Sequence, residues 1–118
     1  MTRELVGADL ADRINEVVPG GAVEWSDGDV WVDSSKVAVV ARFLKDAPDL
    51  DFGFLRSVSA VDYVEYFEVI YHLLSMRRNQ AAVVKTRAYD RDQPSVPSVV
   101  DVWKGAELQE REVWDLMG

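Results

Sequence analysis

The stretch Tyr66-Phe67-Glu68-Val69-Ile70-Tyr71-His72-Leu73-Leu74-Ser75 decides the fold class. Phe67, Val69, Tyr71 and Leu73 recur at every second residue, the period at which strand side chains return to one face. On its N-terminal side Phe52–Val61 is apolar with small polar interruptions. On its C-terminal side Ala81–Ala88 sets Ala81, Val83, Lys85 and Arg87 opposite Ala82, Val84, Thr86 and Ala88. The connections near Asp62–Glu65 and Met76–Gln80 are too short for a crossover, so the three strands are expected to be antiparallel neighbours.

Further out, the period changes. Val6, Leu10, Ile14 and Val17 fall at helical spacing in a predicted helix over residues 5–18, which Pro19-Gly20-Gly21 ends. Ala22–Ser26 and Val30–Asp33 flank Asp27-Gly28-Asp29 and read as a hairpin, because glycine in an Asp-Gly turn accepts a positive φ. Ser34 or Ser35 can cap a second helix that ends near Asp46, with Val37, Val40, Ala41 and Leu44 as its buried stripe. Pro48 and Asp49-Leu50-Asp51 follow as loop. Beyond the third strand, Asp90–Pro94 is a charged loop. Ser98 and Asp101 form a capping-box-like start to a short helix over Val99–Trp103, and Ala106–Met117 is the last helix. The expected order is α-β-β-α-β-β-β-α-α. This is the α+β class, an antiparallel sheet with helices packed on it, in one domain over residues 1–118.

Composition narrows the function. The 118 residues carry 13 Lys and Arg against 21 Asp and Glu, a formal net charge of -8. Counterion-release binding to nucleic acid needs clustered cations, and anionic lipid repels such a surface. No cysteine is present, which removes disulfides, thiol catalysis and cysteine-ligated iron–sulfur clusters. Uncharged stretches such as Val69–Met76 and Asn79–Val84 fall well short of the roughly 20 apolar residues of a membrane-spanning helix. Arg3, Glu4 and Asp9 interrupt the first ten residues, so no signal-peptide core is read there.

Catalytic chemistry is hard to assemble. The one histidine, His72, lies in a strand and reads as a residue satisfied by its neighbours. One imidazole does not supply the three or four converging ligands of a typical zinc site. Gly20-Gly21 follows a helix and not a strand, so it is no phosphate loop. Carboxylate pairs are abundant, and solvated surface charge explains them. The cluster Arg77, Arg78, Lys85, Arg87 and Arg91 reads first as a solvated hairpin and second as a surface for an acidic partner.

Three segments are more particular. Leu55-Arg56-Ser57-Val58-Ser59-Ala60-Val61-Asp62-Tyr63 is the first and Phe67–Ser75 the second. The third runs from Pro94 through Val96-Pro97-Ser98-Val99 and Trp103 to Glu110-Arg111-Glu112-Val113-Trp114-Asp115-Leu116-Met117-Gly118. Together they resemble the 30 kDa subunit family of respiratory complex I, strongly over residues 52–118 and only in pattern before that. Glu110, Arg111, Glu112, Asp115 and Gly118 occupy the positions of that family's signature. Leu108 departs from it, standing where an aromatic is common. The family also continues past the position of Gly118, so the resemblance implies a C-terminal extension that this chain lacks.

The resemblance implies a cofactor-free subunit in the peripheral arm of a proton-translocating NADH:quinone oxidoreductase, on the cytoplasmic side of the membrane. Its partners would be the quinone-site 49 kDa-like subunit and the subunit that holds the terminal iron–sulfur cluster. Catalytic, cofactor and metal residues are expected to be none. Partner contacts are expected at Glu110, Arg111, Glu112 and Asp115, with Trp103, Trp114, Asp62 and Tyr63 as further candidates. The plainer alternatives are that the last helix is an ordinary amphipathic one fixed on its own domain, that the tryptophans are core, and that Asp62-Tyr63 is a turn. A related subunit of a hydrogenase-like or other donor-driven complex, or a stand-alone interaction module, fits the same residues.

Overall fold

The computed structural model describes residues 2–89 and 95–117. The loop expected at Asp90–Pro94, with Arg91, and the terminal Gly118 lie outside them. The elements are β1 (Arg3–Glu4), α1 (Gly7–Val17), β2 (Ala22–Trp25), β3 (Asp29–Val32), a 3-10 turn (Ser34–Lys36), α2 (Val37–Asp46), β4 (Phe54–Tyr63), β5 (Tyr66–Ser75), β6 (Gln80–Ala88) and α3 (Ala106–Met117). The α+β class expected from the periodicity is what the structure shows.

β5 is flanked by β4 and β6 in antiparallel register, with Phe67 opposite Ala88 and Leu73 opposite Leu55 and Ala82. The full order is β2-β3-β6-β5-β4, and β1 also lies along β6. β3 and β1 both run parallel to β6, so two antiparallel blocks meet at a parallel seam. The seam arises because α2 carries the chain from β3 back across the sheet before the β4–β5–β6 meander begins. β1, two residues long, leaves no periodicity to read.

One face of the sheet holds the core. Phe67, Val69, Tyr71 and Leu73 of β5 are buried there, with Ala82, Val84 and Ala88 of β6. α2 buries the stripe read from its spacing, Val37, Val40, Ala41 and Leu44. α1 does not. Its buried residues are Gly7, Leu10, Ala11 and Ile14, while Val6 and Val17 are more than half exposed. The reason is the hairpin: the Gly7 N–H donates to the Asp27 carbonyl, and a Cβ on Gly7 would lie 2.0 Å from the Ser26 carbonyl oxygen. Only glycine permits this approach, so the helix turns the Gly7 side inward and Val6 outward.

Polar side chains tie the layers. Gln80, nearly fully buried, donates from Nε2 to the Asp49 and Leu50 carbonyls at 3.0 and 2.9 Å. Thr86 Oγ1 donates to the Val32 carbonyl at 2.8 Å across the parallel seam. Asp33, rather than Ser34 or Ser35, caps the turn before α2 by accepting from the Ser35 N–H.

β4 begins at Phe54, two residues later than expected. Phe52 instead is a fully buried anchor just after Asp51, whose φ is 51°. The short helix expected at Val99–Trp103 is a single turn, closed by the Val102 and Trp103 N–H groups on the Val99 carbonyl. So short a segment does not recover the cost of helix nucleation, and tertiary contacts take over. Arg42 and Lys45 of α2 donate to the Asp101 and Val102 carbonyls at 2.9 and 2.8 Å, pinning this turn over the helix.

Candidate functional site

The signature segment lies on α3, and the helix divides it between two jobs. Ala106, Glu110 and Val113 face inward and are buried. Trp114 is partly buried against the core. Glu110 accepts from Ser98 Oγ at 2.8 Å and from the Val99 N–H at 2.8 Å. It therefore does what the sequence assigned to Asp101, capping the Val99 turn from a distant helix. Its charge, together with burial, raises the pKa of the Tyr71 phenol, with burial the larger cause. Gln109 Oε1 accepts the Val58 N–H at 2.7 Å, so α3 also covers part of the β4 edge, which would otherwise leave unpaired backbone groups.

The opposite side of α3 is exposed at the described residues. Leu108, Arg111, Glu112 and Asp115 fall at i, i+3, i+4 and i+7, one stripe of a helix, and all four are exposed. Leu108 is 70% exposed. Arg111 pairs with Glu107 one turn before it at 3.3 Å, and both side chains remain mostly in solvent. The stripe thus presents one apolar side chain amid fixed charges of both signs. That is an arrangement suited to docking.

The remaining candidates separate. Trp103 is buried, and its indole N–H donates to the Phe52 carbonyl at 2.9 Å, a core anchor between the Val99 turn and the start of β4. Asp62 and Tyr63 are the last strand residues of β4, exposed, at the opposite end of that strand from Phe54. The turn itself is Val64-Glu65.

Periodicity gave no sign of a second cluster, on the sheet face that carries no helix. The Trp31 indole N–H donates to Glu68 Oε1 at 2.6 Å. Lys85 Nζ and the Arg87 guanidinium stand 5.0 and 5.1 Å from the Trp31 ring centre. Arg87 pairs with both oxygens of Glu24, and its Nε lies 3.6 Å from Glu68. The hydrogen bond with Glu24 first, and one with Tyr89 after it, push the Arg87 pKa above its usual value against the opposing effect of burial. Lys85 and Arg87 are therefore not the solvated hairpin cations that composition suggested. Arg77, by contrast, is exposed, with Asp51 3.8 Å away. Glu68 is only 3% exposed on a face without a helix, because Trp31 lies over it. No group of three or more metal-binding side chains converges among the described residues. None of their helices is long and apolar enough to cross a membrane.

Residues 30–118 match the family described as the respiratory-chain NADH dehydrogenase, 30 Kd subunit. An NADH-quinone oxidoreductase subunit of Roseiflexus sp. (strain RS-1) is 37% identical over 121 residues, covering 97% of this chain and 69% of that protein. The corresponding NADH-quinone oxidoreductase subunit of Parvibaculum lavamentivorans is 38% identical over 116 residues, covering 96% of this chain and 57% of its own length. Among solved structures, a chain of the membrane-bound sulfane sulfur reductase, an archaeal respiratory membrane complex, superposes with a TM-score of 0.73 at 27% identity. That alignment covers 92% of this chain and 65% of the other. This chain thus spans a little over half to about two thirds of the length of these relatives. With the match running through β3, α2, the meander and the α3 signature, the chain belongs to the family of the 30 Kd subunit of respiratory-chain NADH dehydrogenase.

Proposed function

We propose that this chain is a structural, cofactor-free subunit in the peripheral arm of a proton-translocating NADH:quinone oxidoreductase. It sits on the cytoplasmic side of the membrane and packs against the quinone-site 49 kDa-like subunit and the subunit that holds the terminal iron–sulfur cluster. Electron transfer from NADH to quinone belongs to the assembly, and this domain supplies shape and contacts. The observation that carries the reading is the division of labour on α3. Glu110 fixes the helix to its own domain through Ser98 and Val99, while Leu108, Arg111, Glu112 and Asp115 are held outward on one stripe. Arginine flanked by carboxylates forms oriented pairs at interfaces, and an exposed apolar residue among them supplies buried area on docking.

The test is co-expression of the full-length protein with its two proposed partners. The wild-type chain is expected to co-purify with them in stoichiometric amount. Reversing two charges, Arg111→Glu with Glu112→Lys, is expected to abolish this while leaving thermal unfolding nearly unchanged, because both side chains are solvent-exposed. Undiminished co-purification of the doubly reversed chain would remove α3 from the interface.

A second reading is supported by the likeness to a chain of the sulfane sulfur reductase. In it the same domain serves a membrane oxidoreductase driven by a donor other than NADH. Genes for NADH-binding subunits beside the source gene favour the first reading, and genes for a different donor module favour the second.

A further inference from the structure

We propose that the helix-free face of the sheet carries a second docking strip, centred on Trp31, Arg87, Tyr66 and Tyr89, that receives a lysine- or arginine-bearing segment of a protein partner. The proposal rests on the reading of this chain as an assembly subunit, but not on which complex it serves nor on the α3 stripe.

The strip is continuous. Tyr63 and Tyr66 lie 5.3 Å apart between ring centres, as do Tyr66 and Tyr89. The Arg87 guanidinium stands 5.2 Å from the Tyr66 ring and 5.1 Å from the Trp31 ring. Trp, Tyr and Arg are the residues that dominate binding energy at interfaces, and here their rotamers are already locked by one another. Tyr89 is 65% exposed. Beside Trp31 runs a groove of ≈ 260 Å³ lined by Val23, Trp31, Val32, Asp33, Arg87 and Tyr89.

Charge selects the occupant. The strip's own cations are spent internally: Lys85 Nζ is 3.0 Å from Asp29, and Arg87 is taken by Glu24 and Glu68. With Lys85 and Arg87 set over Trp31 and Arg87 over Tyr66, the groups left for a visitor are the exposed Tyr89 ring, the outer side of Trp31 and the carboxylates. Glu24 keeps about half its side chain in solvent, and the Asp33 carboxyl, held below its usual range by the Ser35 hydroxyl and N–H, lies at the groove. Aromatic faces attract cations, and a lysine or arginine stem suits the apolar walls of the groove while its head meets Asp33. An acidic segment, a nucleic acid or an anionic lipid would meet these carboxylates instead. A second copy of the chain, at a net charge of -8, would be repelled as a whole.

Titrating the isotopically labelled chain with a blocked Arg-Gly repeat peptide, and with its Glu-Gly counterpart, tests this by NMR. The four indole N–H signals act as reporters. The Trp31 signal is expected to move saturably with the arginine peptide alone, while the buried Trp103 signal stays. Asp33→Asn, which still caps its turn, and Glu24→Gln are each expected to weaken binding by about three- to tenfold. Reversing Arg111 and Glu112 should leave the affinity unchanged. The strip is overturned if Trp31 does not respond, if both peptides move it equally, or if neither carboxylate variant matters. Shifts confined to Trp114 would also overturn it, yet leave the α3 docking reading standing.

Discussion

Glu110 and Arg111 are neighbours in sequence and opposites in energetics. The Glu110 carboxylate is 7% exposed and accepts from a hydroxyl and a backbone N–H. Glu110→Ala leaves both donors without their acceptor and is expected to cost about 1–3 kcal/mol of stability, read by urea unfolding. Arg111→Ala removes an exposed i,i+4 pair and should cost no more than about 0.5 kcal/mol. Its effect belongs to assembly. A third residue, Gly7, has no side chain to lose. Gly7→Ala would place a methyl 2.0 Å from a backbone carbonyl oxygen that cannot swing aside. Destabilisation by about 1–3 kcal/mol or more is expected in the same assay. Acid sensitivity is also local. The Asp49 carboxyl is held below its usual range, first by the hydrogen bond from Arg13. A depressed carboxyl contributes stability above its unfolded pKa of about 3.9, and that contribution is lost as pH falls through the lower folded value. Asp49→Asn should therefore flatten the loss of stability below about pH 4 and leave the slope between about pH 6 and 8 unchanged. Acid titration followed by circular dichroism measures both.

At the scale of elements, α3 and the Val99 turn stand or fall together. Trp103 joins the turn to Phe52, Glu110 joins it to α3, and Arg42 and Lys45 join it to α2. Trp103→Phe keeps most of the apolar volume but drops the indole N–H. It should cost about 1 kcal/mol and loosen α3 as well as the turn, seen as faster amide exchange along both segments. The elements differ in how far they can be read from sequence. β5, β6 and the α2 stripe are legible because one face is buried along their whole length, which imprints period 2 or 3.6 on the side chains. The α1 stripe is misread by one position because what it packs on is a hairpin backbone, a contact that selects a glycine and not a hydrophobe. The Val99 turn is misread as a helix because its cap comes from 11 residues away. The sheet-face cluster is unreadable for the same reason: Trp31 and Glu68 are 37 residues apart, and Arg87 and Glu24 are 63 apart. Motif spacing locates the signature helix. Which of its residues point outward is a tertiary fact.

Among the described residues, one face of the sheet is covered by helices and forms the core, and the other carries no helix. Layered domains bury apolar sheet surface on a second element, and this one does so on one side only. Together with the outward stripe of α3, the bare face gives the chain two separate surfaces, as a domain held among several neighbours requires. In the proposed function, α3 docks on other subunits of the complex. A photo-crosslinking residue at Leu108, in the full-length protein within the purified native complex, tests it directly. The account predicts crosslinks to the 49 kDa-like subunit or to the terminal iron–sulfur subunit. A complex that contains the chain but shows no crosslink from position 108 to either one would contradict it.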